Sequence, residues 1–549
     1  MVNDRPPEID AGAPSRQPLR APGWTGPLSG VVAAATALCV GLLVAAIGEL
    51  ESPLNAVGSE FIDHTPAWLK DWAIRQFGTN DKVALKVGMV LTVGLLSLVV
   101  GSLARRRRCV GPAAIGGFGV VGAFVAAGRP DGGASWAVPP MIGAIVGSLL
   151  IWFLSGLIAG TDGARETPGP SRAPQGWDRR RFLTATGSAA AAAAVGTAGA
   201  RRLEDRRIDR LAEQAPDTLP PLATSGAPAT GVVPAGTSEA PAGPPVVIPA
   251  GATLSPTTPF ITPNEDFYLI DTALSVPRIS LDSWRMEIGG MVERPLRLSY
   301  DDLLQRPQVE RVITIACVSN EVGGSLIGTA TWQGVLLEPL LREAGVDAAA
   351  EQVFGTSVDG WTCGFPVEAA LDGRDTMIAI GMNGEALPLR HGFPARVIVP
   401  GLYGYVSATK WLQRLDLTTW AGNVGYWVPR GWSREGPIKT QSRIDVPQRD
   451  AELAPGTVVI AGVAWAQQRG VAKVEVRVDE GEWQEATLAT EVNIDTWRQW
   501  RLEWDATPGD HVIQVRATDG TGEVQTEELS RPDPDGATGW HTRRVSVAG

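Results

Sequence analysis

Hydrophobic positions are distributed very unevenly along the chain. Roughly the first 200 residues contain long apolar runs, whereas the remainder alternates short apolar runs with polar and turn residues. About 20 apolar residues in a helix are enough to cross the roughly 30 Å hydrocarbon core of a bilayer. Such stretches occur at about 29–48, 87–104, 110–128, 140–159 and 182–200. We therefore predict a bundle of about five transmembrane helices over residues 1–204.

Arginine clusters set the expected orientation of this bundle. Residues 105–108 are four arginines between the second and third spans, and residues 179–181 are three more before the fifth. Such clusters stay on the cytoplasmic side. Five crossings from a cytoplasmic N-terminus then place everything after about residue 200 outside, so we expect a multi-pass protein of the cell membrane. Residues 178–183, DRRRFL, are also similar to a twin-arginine export signal. The plain alternative, a positively charged helix flank, predicts the same topology.

The predicted spans are poor in groups that carry electrons or ions. Histidine usually holds a membrane haem, and His64, His391, His511 and His541 all lie outside the spans. We therefore expect no haem in this chain. Buried acids and bases are nearly absent from the spans as well, which argues against an ion pathway. An anchor is the default interpretation, and a docking platform for a partner is the alternative.

Composition changes again after the last span. Residues 205–259 are predicted to be a linker, because Pro, Ala, Gly, Thr and Ser dominate from about residue 215. The formal net charge of −11 and the lack of a basic stripe in the second half argue against a nucleic-acid partner.

Residues 260–444 carry the pattern of a mixed α+β domain. VERVITIACV, at 309–318, predicts a buried strand that ends at a cysteine. LLEPLLREAGV, at 336–346, predicts a short amphipathic helix closed by Gly345. Residues 396–417 predict two strands around a glycine-rich bend. Neither a G-x-G-x-x-G fingerprint nor a P-loop occurs, so a nucleotide cofactor is not indicated.

Residues 445–549 read as short, half-buried strands. Apolar residues alternate with polar ones or form short runs in three segments, which are separated by turn residues: GTVVIAGVAW, VAKVEVRV and HVIQVRATDG. Strands of this length and spacing predict a β-sandwich.

Four sequence blocks in the second half occur together in a known order. They are TPNEDFY at 262–268; IACVSN at 315–320 with WQGV at 332–335; MNGEALP at 382–388 with HGFPAR at 391–396; and PG at 400–401 followed by Ser407, Thr409, Lys410 and Trp411. Over residues 260–549 the chain thus resembles the sulfite oxidase family. In that family a molybdopterin domain precedes an immunoglobulin-like dimerisation domain, so a homodimer is one expectation.

The resemblance assigns roles to individual residues. Cys317 becomes the thiolate ligand of molybdenum, a soft ligand suited to that metal, and the catalytic residues become Cys317 and Tyr426. Fixed cations and polar groups are needed around an anionic pterin, and the matching positions are Asn264, Tyr268, Asp359, His391, Arg396, Ser407 and Lys410. The alternatives are a buried or Cys363-bonded Cys317, a turn His391 and a surface ion-paired Arg396. Cys363 itself is interpreted as a core thiol.

Departures from the family pattern leave the substrate open. Sulfite-oxidising members carry arginines after the first block and after the cysteine, where this chain has Ile270, Glu321 and Val322. The expected function is two-electron oxygen-atom transfer at molybdenum on a small molecule, with an unidentified external electron partner. The alternatives are a sulfoxide or related oxide reductase on the same fold, and a non-catalytic membrane sensor or scaffold.

Overall fold

The computed structural model describes residues 21–66, 81–129, 132–159, 177–216, 218–222 and 246–549, together with residues 69, 72, 76 and 77. It divides into two compact units. One comprises residues 1–64 and 80–206, and the other comprises residues 65–79 and 207–549. The central part of the predicted linker, residues 223–245, lies outside the described residues.

Long helices dominate the first unit. They are α1 (Thr25–Ile47), α2 (Pro53–His64), α3 (Asp81–Arg106), α4 (Val110–Ala127), α5 (Val138–Ala159) and α6 (Arg179–Ala212). Four of the described helical stretches are long and apolar enough to cross a membrane: Thr25–Ile47, Lys82–Arg106, Val110–Ala127 and Ala134–Ile158. They correspond to the first four predicted spans.

The fifth predicted span forms a helix but is not among those four. Residues 182–200 lie within α6, where alanine and glycine supply most of the apolar character and arginines stand at both ends of the run. Alanine and glycine remove less surface from water than leucine or valine do. A count of five spans is therefore not confirmed.

Glycines allow close packing in the first unit. A Cβ atom on Gly30 of α1 would overlap the carbonyl oxygen of Ser97 on α3 and would also approach Gly101. Without a hydrophobic driving force between helices in lipid, such backbone approach is a main source of association. The glycines in these otherwise apolar runs thus have a packing role.

The first part of the second unit is built from two sheets and short helices. Its strands are β1 (Arg285–Gly290), β2 (Leu296–Ser299), β3 (Val309–Ala316), β4 (Ile327–Leu336), β5 (Gln352–Ser357), β6 (Thr362–Pro366), β7 (Met377–Met382), β8 (Glu385–Ala386), β9 (Arg396–Ile398) and β10 (Leu412–Thr418). Its helices are α7 (Tyr300–Gln305), α8 (Leu337–Ala344), α9 (Glu368–Leu371) and α10 (Gly404–Ser407). The sheets have the orders β2-β1-β10-β5-β6 and β3-β4-β7-β8, with β9 paired to β7.

Local sequence signals are confirmed here. β3 is the predicted buried strand ending before Cys317. The predicted amphipathic helix is α8, and Gly345 closes it in the left-handed conformation at φ 70°, which costs glycine little because it lacks a Cβ. The two strands predicted around the glycine-rich bend are β9 and β10, with α10 between them.

The last part of the second unit contains two more sheets. Its strands are β11 (Gln441–Val446), β12 (Ala451–Leu453), β13 (Gly456–Trp465), β14 (Val471–Val478), β15 (Gln484–Glu485), β16 (Thr487–Leu488), β17 (Arg498–Ala506), β18 (Gly509–Asp519) and β19 (His541–Val547). The orders are β11-β13-β17-β16 and β12-β19-β18-β14-β15. Ile460 and Trp500 of the first sheet share a buried core with Val476 and Val515 of the second. This is a β-sandwich.

Both described ends of the predicted linker are folded against the second unit. Helix α6 continues to Ala212, and the carbonyl of Pro220 accepts a hydrogen bond from Gln333 at 2.7 Å. On the other side the Leu254 N–H donates to the Gln499 side chain at 2.5 Å, and Phe260 is buried. These ends are therefore not the free tether that composition alone predicts.

Candidate active site

Cys317 lies where β3 ends. It is 8% exposed, and its N–H donates to the carbonyl of Leu326 at 2.9 Å, which extends the β3–β4 ladder by one pair. Burial raises the pKa of its thiol, while the N–H and hydroxyl of Ser319 donate to the sulfur and oppose that shift. All four cysteines are free thiols, so the alternative of a disulfide to Cys363 is not realised.

Residues 317–326 form the connection between β3 and β4, here termed the Cys317 loop. Its first turn closes through the Asn320 N–H, which donates to the Cys317 carbonyl at 3.0 Å. The Asn320 side chain then accepts from the Leu326 N–H at 2.8 Å. The loop is thus held at both ends by its own hydrogen bonds, and Glu321 at its outer turn is exposed.

Tyr268 interacts electrostatically with both Cys317 and Arg396. Burial raises the pKa of the Tyr268 hydroxyl; the charge of Cys317 raises it further, and Arg396 opposes both. The Tyr268 ring stacks on Phe267 at 5.3 Å between centroids. Its hydroxyl therefore stays protonated at neutral pH and is available as a neutral hydrogen-bond donor.

Arg396 is a buried cation held in a fixed orientation. It is 5% exposed, its Nη1 donates to the His391 carbonyl at 3.1 Å, and its guanidinium lies over the Trp332 ring at 5.1 Å. Burial lowers its pKa to about 10, so it stays charged at neutral pH. Its Nε has no hydrogen-bond partner among the described residues. The alternative of a surface ion pair is therefore wrong, and the spare donor suits an anionic ligand.

His391 is a turn residue, the last of the short 3-10 turn Leu389–His391, but it is buried. Its Nε2 lies 2.9 Å from the Asn264 carbonyl oxygen, which can only accept, so the ring donates there. The ring also meets Phe267 edge to face at 5.8 Å. Burial lowers the pKa of His391 to about 4, and at neutral pH the imidazole is therefore uncharged.

Asn264 is fixed by the turn between β7 and β8. Its Oδ1 accepts from the Asn383 side chain at 2.8 Å, and its Nδ2 donates to the Met382 carbonyl at 3.3 Å and to the Glu385 carboxylate. This network joins the first sequence block to the third and brings Asn264 and His391 together.

Lys410 is paired with an acid inside the domain. Its Nζ forms an ion pair with the Asp271 carboxylate, donates to the Arg390 carbonyl at 3.2 Å and lies 4.7 Å from the centre of the Trp411 ring. The side chains of Lys410 and Asp271 are 10% and 16% exposed. Asp271 thereby offsets one of the two buried cations of this region.

Three predicted site residues have other local roles. The Ser407 hydroxyl donates to the carbonyl of Tyr403, the residue before α10, at 3.0 Å. Asp359 accepts from the Trp361 N–H at 3.2 Å in the β5–β6 turn. Tyr426 lies beside the edge of β6, where its ring is covered by the Arg430 guanidinium at 3.7 Å. Their part in cofactor binding or catalysis stays a prediction.

A surface recess lies beside Tyr426. Its lining includes Cys363, Gly425, Trp427, Tyr405 and Arg434. Cys363 is buried as predicted, its sulfur lies 3.2 Å from the Thr409 hydroxyl, and burial raises its pKa to about 12.

Sequence reasoning missed three residues of this region. Trp332 supports Arg396, Asp271 pairs with Lys410, and Asn383 orients Asn264. Each lies inside or just after a matched block. They could have been found from the sequence as residues in or near a matched block that are able to stack on, or pair with, a candidate site residue.

Comparisons with known proteins identify relatives of this part of the chain. The family model "Oxidoreductase molybdopterin binding domain" matches residues 273–427. Mitochondrial sulfite oxidase of Mus musculus is 30% identical over 320 residues, or 49% of this chain and 58% of its own length. Sulfite oxidase of Gallus gallus is 30% identical over 321 residues, or 49% of this chain and 69% of its own. The chain thus spans little more than half of the mouse relative.

Among solved structures, the sulfane dehydrogenase SoxCD from Paracoccus pantotrophus shares 26% identity, with a TM-score of 0.47 over 53% of this chain and 82% of its own. The family of the chain is identified by the sequence matches and not by this structural match. It belongs to the sulfite oxidase family of molybdopterin-dependent oxidoreductases and takes a molybdenum–molybdopterin cofactor.

Proposed function

We propose that this chain is a membrane-anchored, extracytoplasmic molybdenum oxidoreductase in which the Cys317 thiolate is the protein ligand of the metal. The observation that carries the proposal is a buried free thiol at the end of β3 that is electrostatically coupled to the Tyr268 hydroxyl, which is coupled in turn to the buried guanidinium of Arg396. A soft sulfur ligand next to neutral and cationic donors fits a thiolate-bound metal on an anionic pterin.

The residues present fit the cofactor. Arg396 offers an unused buried donor, and the neutral imidazole of His391 and the amide of Asn264 lie in the same network. When bound, the cofactor supplies two-electron redox chemistry at the metal. Arg396, His391, Asn264 and Tyr268 would hold and orient it. Lys410 would contribute less net charge, because Asp271 already pairs with it.

The chain's own residues control the proton at the sulfur. Cys317 must lose its thiol proton to act as a ligand, and burial by itself opposes that loss. The two donors of Ser319 stabilise the thiolate instead. Tyr268 keeps its proton because of its raised pKa, so its hydroxyl can donate toward an oxygen atom near the sulfur.

We propose oxygen-atom transfer to or from a small molecule, with an external electron partner. The curated relatives act on sulfite by name, but two observations oppose a small dianion here. Arginine positions of sulfite-oxidising members are held by Ile270, Glu321 and Val322, and Asp271 offsets Lys410. The same observations favour the second candidate, reduction of a neutral sulfoxide or related oxide.

Membrane topology depends on α6. The arginines before α4 and before α6 both belong on the cytoplasmic side, with two crossings between them. If α6 also crosses, the catalytic part lies outside; if it does not, the catalytic part is cytoplasmic. The export-signal-like residues 178–183 at the start of α6 support the crossing.

Labelling with a membrane-impermeant maleimide distinguishes the two topologies. Cys109 is exposed and native to the proposed cytoplasmic loop, and Leu529→Cys would place a second thiol on an exposed loop of the β-sandwich. In intact cells we expect position 529 to be labelled. Cys109 should be labelled only after lysis. Protection of both positions until lysis would contradict the extracytoplasmic assignment.

We further assign residues 1–204 as the anchor, 205–259 as the linker, 260–444 as the molybdopterin domain and 445–549 as an immunoglobulin-like dimerisation domain. The two-sheet architecture supports the last assignment. Light scattering of the detergent-solubilised chain tests it, because a monomer at micromolar concentration would contradict dimerisation.

Metal and pterin content of the full-length protein tests the central proposal. We expect near-stoichiometric molybdenum in the wild type and in the matched variant Cys363→Ser, which alters another buried thiol. Cys317→Ser should change the molybdenum spectrum. Wild-type protein free of molybdenum and pterin, from a host that makes the cofactor, would refute the proposal. Sulfite with a dye acceptor and dimethyl sulfoxide with a reduced viologen then separate the two reaction directions.

A further inference from the structure

The Cys317 loop is contacted by the β-sandwich as well as by its own domain. Arg443, on β11, donates from Nη1 to the Gly324 carbonyl at 3.0 Å. Its Nε pairs with Asp445 at 2.7 Å, and both side chains are nearly buried. Its Nη2 reaches the Thr258 hydroxyl at 3.3 Å. One arginine thus ties the loop, the sandwich and the segment before the first sequence block together.

His541, the first residue of β19, lies against Gly323, the loop residue that precedes Gly324. A Cβ atom on Gly323 would overlap the His541 ring, so the ring edge rests directly on the loop backbone. A hydrogen bond fixes the orientation of the ring, because its Nδ1 accepts from the Ile444 N–H at 2.8 Å. Gly323 has φ +75°, a conformation in which glycine lies close to a neighbour without strain.

The strand that leads into Cys317 is held from the same side. The Trp497 N–H donates to the Thr314 hydroxyl at 2.7 Å, and Asn493 donates to the Val312 carbonyl at 3.0 Å. Both donors belong to the segment between β16 and β17. The sandwich therefore contacts the chain before Cys317 and after it.

We infer that Arg443 and His541 are positioning residues for Cys317. They hold the Cys317 loop so that the two donors of Ser319 reach the sulfur, and they shield the sulfur from solvent. In this arrangement the C-terminal sandwich supports the active site in addition to any role in joining two copies. The inference rests on the proposed role of Cys317, but its test does not need the metal.

The test follows the reactivity of Cys317 in cofactor-free, full-length protein from a host that cannot make the pterin. Alkylation by iodoacetamide is quantified at each cysteine by peptide mass spectrometry. His541→Asn keeps an acceptor for the Ile444 N–H but removes the ring edge, and Arg443→Gln removes the charged donor. The matched control is His511→Asn, because His511 lies on β18 and pairs with Asp479 at 2.9 Å.

We expect both variants to raise the Cys317 alkylation rate roughly tenfold, as loss of one charge-assisted or close backbone contact permits local opening. His511→Asn should leave the rate unchanged. Arg443→Lys, which keeps a cation near Gly324, should restore part of the protection. Unchanged Cys317 reactivity in both His541→Asn and Arg443→Gln overturns the inference.

Cys363 distinguishes local from global opening in the same samples. Its thiol is 1% exposed, so it should stay protected in every variant. If Cys363 reacts faster in His541→Asn, the alkylation of both thiols is measured in Gly323→Ala, because that change disturbs the same contact from the loop side. Faster Cys317 alkylation with Cys363 protected supports the inference, and equal acceleration at both thiols refutes it. Molybdenum content of wild-type protein independently tests the proposed function.

Discussion

The buried ion pair between Lys410 and Asp271 allows a quantitative test of the site's electrostatics. The perturbation is a double-mutant cycle with Asp271→Asn, Lys410→Met and the combined variant. Asparagine keeps the shape of aspartate without its charge, and methionine keeps most of the aliphatic stem of lysine. Both wild-type side chains are less than one-fifth exposed, so solvent compensates little for a lost partner.

The expected magnitudes follow from the contacts that remain. Removing one partner of a buried pair typically costs about 3–5 kcal/mol. In Asp271→Asn the ammonium keeps the Arg390 carbonyl and the Trp411 ring, which reduces the expected loss to about 2–3 kcal/mol. Lys410→Met removes the cation beside the Asp271 carboxylate and should cost about 3–5 kcal/mol. The combined variant removes both charges together and should lose only about 1 kcal/mol.

Apparent Tm values of the four cofactor-free, detergent-solubilised proteins provide the assay. At about 2–4 °C per kcal/mol for a domain of this size, Asp271→Asn should melt roughly 4–12 °C and Lys410→Met roughly 6–20 °C below the wild type. The combined variant should recover most of that loss. Additive losses in the combined variant would show that the two charges do not interact, and would remove the argument that Asp271 offsets Lys410.

Burial lowers the pKa of His541 from 6.5 to about 3. In the unfolded chain His541 is protonated below about pH 6.5, whereas in the folded protein it is protonated only below about pH 3. The free energy of unfolding therefore falls as the pH drops from about 6.5 to about 3. The Tm gap between wild type and His541→Asn should thus be larger at pH 7 than at pH 4; a constant gap would contradict this. Gly334→Ala should destabilise the protein by about 3 kcal/mol or more, since its Cβ would overlap the Ile378 carbonyl; an unchanged Tm would show that the strands can separate. Arg396→Lys loses the planar stack on Trp332, so pterin retained after gel filtration should fall roughly tenfold. Equal retention would mean that only the charge matters.

Elements with a strong local signal were predictable. The first four apolar helices, the strand that ends at Cys317 and the helix closed by Gly345 all follow from periodicity and end signals that lie within one segment. Helix α6 was less predictable as a span, because alanine and glycine favour helix packing without strongly favouring lipid. The folded linker ends at Pro220 and Leu254 could not be predicted from composition, since their partners are distant glutamine side chains.

By itself, the sequence determined the kind of protein this is. Block order and residue types identified the molybdopterin family, and hydrophobic patterning located the apolar helices and most strands near the site. Only the tertiary structure decided which groups neutralise, orient and shield one another. Lys410 and Asp271 are 139 positions apart, and Arg443 and Gly324 are 119 apart. Contacts at such separations depend on how whole sheets pack, because no local pattern records which distant side chain reaches a given atom.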